Sequence, residues 1–253
     1  MNKSKLRIVQ DFVDFKNNKP EGIYLYINEE DIFQNYALII GPKNTPYYGG
    51  FFLFEIKFPK NYPDKSPTVN FLTIDGKIRF NPNLYEGGKV CLSILGTWSG
   101  PSWTVCCTLT TVLLSIQSLL NECPIHNEPG WDTIEKNDTR VINYNSILKY
   151  ANYRVAILDT LSNIPNDFTV FRDIMVRHLR NIKNDIINYI ELNDNSEAYL
   201  TSSMFNLKIK YDLFKLKEDL NNILHYYRDI DTEKSSIDST NQSENDYTLN
   251  TSH

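Results

Sequence analysis

Between Leu6 and Phe15 the apolar residues Leu6, Ile8, Val9, Phe12, Val13 and Phe15 recur mostly at steps of three and four, which predicts an amphipathic helix ending near Asn17 and Asn18. The period then drops to two. Ile23, Leu25 and Ile27 share one face of a short strand, Tyr36 to Ile40 makes a second, and Phe52, Phe54, Ile56 and Phe58 line one face of a third. Gly41-Pro42 and Tyr47-Tyr48-Gly49-Gly50 punctuate these strands as turns. With Thr68 to Phe71 as a fourth strand, the connections are too short for helical crossovers, so the pattern predicts an antiparallel meander.

Periodicity is then lost from residue 73 to residue 107, a stretch rich in proline, glycine and asparagine that carries Trp98 and Trp103. A long irregular stretch inside a compact domain is usually functional. Helix resumes with the apolar stripe Leu109, Val112, Leu113, Ile116, Leu119 and Leu120. After a loop from Cys123 to Gly130, further helical patterns cover about 140–161, 167–192 and 212–228. The middle one, carrying Phe168, Phe171, Ile174, Met175, Leu179, Ile182, Ile186 and Ile190, is expected to pack on the core or on the following helix, with partner binding as the minority reading. Three segments result: a core at 1–157, a helical extension at 158–228, and a polar tail at 229–253 that has too few apolar residues to order itself.

Charge and cysteine usage narrow the setting. The chain of 253 residues balances 26 basic against 31 acidic residues for a net charge of −5, with no clustered run of lysine and arginine, which argues against nucleic acid as a partner. No apolar run reaches the length of a signal peptide or the roughly 18 residues of a membrane span, so a soluble intracellular protein is expected, without membrane association. Four cysteines, with Cys106 and Cys107 adjacent, make no disulfide framework and fit a reducing compartment, where Asn241-Gln242-Ser243 stays unglycosylated.

Cys91 lies in irregular sequence shortly after Gly87-Gly88, where a thiol is expected to be reachable. A thiolate attacks acyl carbons, and the oxyanion so formed needs a preorganised donor, for which the side-chain amide of Asn83 is a candidate. On residue chemistry alone, packing is the default for Cys91 and a turn role is the default for Asn83. His126 in a polar loop is a candidate dyad partner for a hydrolase reading, with a solvated or hydrogen-bonding histidine as the default, and Cys106-Cys107 lacks a second ligand pair at zinc spacing.

Several separated motifs shift this balance. Phe58-Pro59-Lys60-Asn61-Tyr62-Pro63, Asn81-Pro82-Asn83, Cys91-Leu92-Ser93-Ile94-Leu95, Trp103 and the Leu113 to Leu120 helix, in that order after a helix and a four-stranded meander, resemble the ubiquitin-conjugating enzymes over roughly residues 1–155. Gly96 to Trp103 and Pro124 to Gly130 are most similar to the large Z-type members. The resemblance implies an α+β fold with an N-terminal helix, a four-stranded antiparallel meander and C-terminal helices, here with an added helical extension. It implies an enzyme that accepts ubiquitin or a ubiquitin-like protein from an activating enzyme as a thioester on Cys91 and transfers it to a substrate lysine or a ligase. Asn83 falls on the family's catalytic asparagine, with an oxyanion or a loop-holding role. Glu128 and Asn127 fall near its acidic gate, and Leu114 and Ser118 match positions that hold a closed donor. The resemblance calls for no metal or organic cofactor on this chain, ATP being used by the activating enzyme, and for a cytoplasmic or nuclear setting. A non-catalytic ubiquitin-binding or scaffold module of the same fold is the alternative. Three departures stand out: Asn81 replaces the first residue of the family's His-Pro-Asn, Asp64 stands where many members place an aromatic that docks ligases, and Val105-Cys106 replaces a common Pro-Ala pair.

Overall fold

Ile8, Phe12 and Phe15 fall on one face of a helix, and burying that face fixes α1 (Lys3–Asn18) against the remainder of the fold. The computed structural model describes residues 3–18, 20–193 and 199–229, so most of the expected tail lies outside the described residues. Four antiparallel strands follow α1 in the order β1 (Ile23–Tyr26), β2 (Gln34–Ile40), β3 (Phe51–Lys57) and β4 (Thr68–Phe71). The expected meander is thus present, with Ala37 opposite Phe54 and Leu38 opposite Leu53 in register. After the long irregular stretch come α2 (Leu109–Leu119) and α3 (Thr139–Ala151). Thr108 caps α2 with a reciprocal box: its hydroxyl accepts from the Thr111 N–H, and the Thr111 hydroxyl accepts from its own.

Alternation along β2 and β3 sends side chains to both faces of the sheet, and both faces are buried. Ala37, Ile39, Phe52, Phe54 and Ile56 enter an inner core with α1, α2 and α3. Tyr36, Leu38, Ile40, Phe51 and Leu53 face the other way and are covered by the C-terminal helices. The periodicity of β3 exposes only the inner set to sequence reasoning, because a strand buried on both sides reads as a continuous apolar run. The helical extension is therefore a second layer on the sheet: α5 (Arg172–Leu192) supplies Met175, Leu179, Ile182 and Ile186, and a helix over 213–229 supplies Leu213, Leu216 and Leu220.

The turn from inner to outer layer is made inside one continuous helix. Beyond α3 the chain adopts wider π turns over Asn152–Asp159 and closes with a single α turn, α4 (Thr160–Ser162). Val155 and Ala156 join the inner core while Tyr153, Ile157 and Leu158 join the outer one, so this segment is buried nearly all round. Asn152, also buried, donates to the Tyr48 carbonyl at 2.9 Å and anchors the turn to the β2–β3 connection. One element has no counterpart in the periodic pattern: a two-stranded hairpin, β5 (Tyr199–Ser202) and β6 (Leu207–Lys210), which lies against α3.

His178 on α5 gives the outer layer a pH dependence. Its Nε2 is buried without a hydrogen-bond partner, and burial, with Lys43 nearby, pushes its pKa below the ordinary histidine value. The folded chain therefore keeps His178 neutral, whereas the unfolded chain takes up a proton near pH 6.5. Its contribution is fully present above that pH and is lost as pH falls through the lowered folded value. His178→Phe, whose ring suits the edge-on contact with Phe51 at 6.2 Å, is expected to lose less melting temperature than the parent between about pH 7 and pH 5. Parallel losses in the two chains would rule His178 out as a source of acid sensitivity.

Candidate active site

The irregular stretch from Phe80 to Cys91 is a folded loop attached to the free edge of the sheet. Asn70 on β4 bridges to Lys89, and the Phe71 N–H donates to the Gly88 carbonyl at 2.8 Å. Leu84, fully buried, bridges to both Asn81 and Val90. Gly88 is required for this approach: its φ is +88°, and a Cβ there would lie 2.7 Å from the Phe71 carbonyl oxygen.

Asn81 is the loop's internal anchor. Its Nδ2 donates to the Leu119 carbonyl at 2.8 Å and to the Tyr47 hydroxyl at 3.1 Å. Its Oδ1 accepts from the Asn83 N–H at 2.9 Å and from Asn127 Nδ2 at 3.4 Å. The amide is fully buried with both donors and its acceptor in use, so the replacement noted in the sequence retains a structural hydrogen-bonding group. Tyr47 completes the anchor by donating to the Phe80 carbonyl at 2.5 Å, and burial drives its hydroxyl pKa far upward, so it stays a neutral donor. Nothing in the turn-like Tyr47-Tyr48-Gly49-Gly50 marks Tyr47 in the sequence for this task.

Asn83 and Cys91 are paired twice. The Cys91 N–H donates to the Asn83 carbonyl, and Asn83 Nδ2 donates to the Cys91 carbonyl, both at 2.8 Å. The Asn83 side chain therefore spends a donor on the main chain of Cys91, while its Oδ1 is buried without a partner. Immediately downstream, the Thr97 hydroxyl donates to the Val90 carbonyl at 2.7 Å and accepts from the Leu92 N–H at 2.9 Å, closing the turn that carries Cys91. These ties correct the expectation of a reachable thiol: Cys91 is 0% exposed. Gly88 before it serves a close main-chain approach rather than an opening, and the thiol is enclosed in this conformation.

The other expected residues separate into different neighbourhoods. Asn127 joins the Asn81 anchor, donating to the Leu119 carbonyl at 3.0 Å and accepting from Asn121 at 3.3 Å. Glu128 follows it with a half-buried side chain whose Oε2 is enclosed without a partner, close enough to Tyr144 to help raise that hydroxyl's pKa, after burial and Tyr47. His126 Nε2 sits 2.8 Å from the Ile134 carbonyl, so one of its two ring nitrogens is engaged within its own loop. Trp103 donates to the Pro63 carbonyl at 2.7 Å and packs on Tyr62, so it anchors the loop.

The loop bearing Val105 and Cys106 is fastened to α1. Arg7 donates to the carbonyls of Val105 and Cys107 at 2.8 and 2.7 Å and to the buried Asp11 carboxylate at 2.8 Å. Asp11 also receives the Tyr62 hydroxyl and the Leu109 N–H, so this buried charge is fully hydrogen-bonded. Val105 is left facing solvent, as is Leu114 on α2.

Comparison with known proteins covers the stretch of chain that holds this loop. The family model described as "Ubiquitin-conjugating enzyme" matches residues 7–149. "Ubiquitin-conjugating enzyme E2 Z" of Xenopus tropicalis is 44% identical over 161 residues, 63% of this chain and 51% of that protein. The Homo sapiens protein of the same name is 44% identical over 157 residues, 62% of this chain and 44% of that protein. "Probable ubiquitin-conjugating enzyme protein 17" of Caenorhabditis elegans is 38% identical over 185 residues, 68% of this chain and 25% of that protein. The chain thus spans about half or less of the length of these relatives. Among the described residues, no helix is long and apolar enough to cross a membrane.

Proposed function

Because the chain belongs to the ubiquitin-conjugating enzyme family, we propose that it takes ubiquitin or a ubiquitin-like protein from an activating enzyme as a thioester on Cys91 and passes it to a substrate lysine or a ligase cysteine. The observation that carries this reading is the double main-chain and side-chain pairing of Asn83 with Cys91, which sets a cysteine and an amide donor in one loop. Loading exchanges one thioester for another: the Cys91 sulfur bonds the acyl carbon, the activating enzyme's thiolate leaves, and the Cys91 proton passes to that thiolate. Discharge forms an amide with the lysine nitrogen, which must first be uncharged, and returns the Cys91 thiol. Neither step needs a metal or organic cofactor on this chain, and ATP is consumed at the activating enzyme.

Asn83 has two tasks in this scheme. Its amide fixes the loop in the resting chain, and a small rotation about its side-chain torsions redirects an N–H to the oxyanion. Asn83→Ala is expected to slow single-turnover discharge to free lysine by roughly a hundredfold, with loading slowed far less because thioester exchange is nearly balanced. Equal slowing of both steps would assign Asn83 to loop support alone. Asn127 acts through Asn81, and Glu128, whose enclosed oxygen lacks a partner, is the group available to accept a proton from the incoming lysine. Leu114 and Ser118, on the solvent side of α2, offer the surface against which a bound donor closes. Four free cysteines support a reducing setting, cytosol or nucleus.

The test is charging. With ATP and a panel of activating enzymes and modifiers, the full chain is expected to form an adduct that disappears on treatment with thiol. Failure to charge across the panel, together with modifier binding that Cys91→Ala leaves intact, would favour the non-catalytic module instead.

A further inference from the structure

Arg79 stands two residues before Asn81, and its planar guanidinium lies between two rings. The Tyr85 centroid is 3.8 Å away and the Phe205 centroid 4.1 Å away. From this position Nη2 donates to the Pro82 carbonyl at 2.6 Å, between the two asparagines of the site loop. Its Nε is buried without a partner, so the flat faces of the rings, rather than a full set of hydrogen bonds, hold the group in place. Tyr85 belongs to the site loop, exchanging main-chain hydrogen bonds with Gly88 and Lys89. Phe205 belongs to the tip of the β5–β6 hairpin, at the far end of the chain from that loop.

The hairpin is built to present this ring. Phe205 and Asn206 adopt left-handed backbone, with φ of +56° and +50°. That conformation is uncommon for a bulky side chain and persists only where its surroundings impose it. Met204 and Leu207 on either side are buried in the inner core, and the Phe205 ring meets Tyr144 edge-on at 5.8 Å. Tyr144 in turn donates to the Arg79 carbonyl at 2.9 Å, so both the main chain and the side chain of Arg79 are held by the same cluster.

We propose that the β5–β6 hairpin is a positioning strut for the site loop, in which Phe205 keeps Arg79 stacked on Tyr85 and Arg79 keeps the Pro82 carbonyl, and with it the Asn83–Cys91 pairing, in place. Phe205 and Arg79 are thus positioning residues, and the extension tunes the site from outside the part of the chain matched by the family model. The activity readout rests on the reading of Cys91 as the acyl carrier; the structural readout does not.

Phe205→Gly in the full chain tests this, since glycine accepts the left-handed backbone and removes only the ring. Hydrogen exchange at the Cys91 N–H, followed by NMR, is expected to quicken about tenfold, and the Asn83 side-chain amide signals are expected to move. Single-turnover discharge is expected to slow by about the same factor, with the lysine concentration for half-maximal rate unchanged. Phe205→Trp, which restores a stacking face, should return both readouts toward the parent. Exchange and amide signals matching the parent in folded Phe205→Gly would overturn the strut. Should that variant fail to fold, Arg79→Lys, which keeps the charge but loses the planar stack, is expected to show the same quickened exchange, and parent-like exchange there overturns the proposal equally. A chain that never charges removes the function proposed for Cys91 while the exchange measurement still decides the strut.

Discussion

Cys91→Ser is expected to convert the thiol-labile adduct into one that survives thiol and yields to alkali, and to reduce lysine discharge to background. The substitution changes one atom in a residue that is 0% exposed, so the loop around it has little reason to rearrange. An oxygen there still forms an ester when the loop opens, though more slowly, because an alcohol is a far weaker nucleophile than a thiolate. Once formed, the ester resists both thiol and amine, since an alkoxide leaves far less readily than a thiolate. Non-reducing and reducing gels after charging read the first effect, and single-turnover discharge reads the second. The outcome that defeats the assignment is equally concrete. If the serine variant keeps a thiol-labile adduct, the acyl group rides on another cysteine, and Cys106, the exposed one, is the first to examine.

The fold was legible where one period governed a whole element. The α2 stripe leads directly to the inner core, the α1 stripe does so through Ile8, Phe12 and Phe15 while Leu6, Val9 and Val13 stay exposed, and the alternation in β3 marked its inner face. The outer layer was half legible: the helices announced themselves, but their docking face did not. Leu38, Ile40, Phe51 and Leu53 need a partner layer only if one asks what covers the reverse side of an apolar strand. The π segment lies beyond pattern reading, because Asn152–Asp159 is buried on nearly every side and has no stripe to reveal its wider turn. The β5–β6 hairpin was missed for a local reason. Its strands are four residues long, and its left-handed turn is made by Phe205 and Asn206 without the glycine that usually signals one. At the site, the motif around Asn81, Asn83 and Cys91 named the residues, yet their partners depend on tertiary contacts. Asn127 was grouped with Glu128 because they are adjacent in sequence, and the fold sends its amide to Asn81 instead. Arg79 carried a readable signal, a lone arginine between Ile78 and Phe80, but its function needs a ring contributed from well over a hundred residues away.

Phe168→Ala is expected to remove about 3–5 kcal/mol of folding stability. Phe168 is 1% exposed and stands at the junction between the sheet and the extension. Its ring meets Tyr36 on β2 edge-on at 5.2 Å and packs tilted on Phe171 at 6.1 Å. Truncation to alanine loses the transfer energy of the ring and leaves a cavity, because both sides are fixed: the sheet by its ladder and the helices by their shared packing. Against a typical total of about 5–15 kcal/mol, that loss is about a fifth of the stability or more. Denaturant unfolding should show a midpoint shifted down with the slope preserved. Leu192→Ala, at a position 84% exposed on α5, is the matched control, with a change expected within about 0.5 kcal/mol. A loss below about 1 kcal/mol for Phe168→Ala would mean that the second layer does not press on the sheet in solution. The same logic extends to the whole layer. A chain ended at residue 162 strips Phe168, α5 and the helix over 213–229 from the face formed by Tyr36, Leu38, Ile40, Phe51 and Leu53 and leaves only Tyr150, Tyr153, Ile157, Leu158 and Leu161 beside it, and the apolar surface so exposed should drive self-association. The extension therefore belongs to the folding unit as well as acting on the site through Phe205, and a weakened outer layer should loosen the Asn83–Cys91 pairing even where the site loop itself is unaltered.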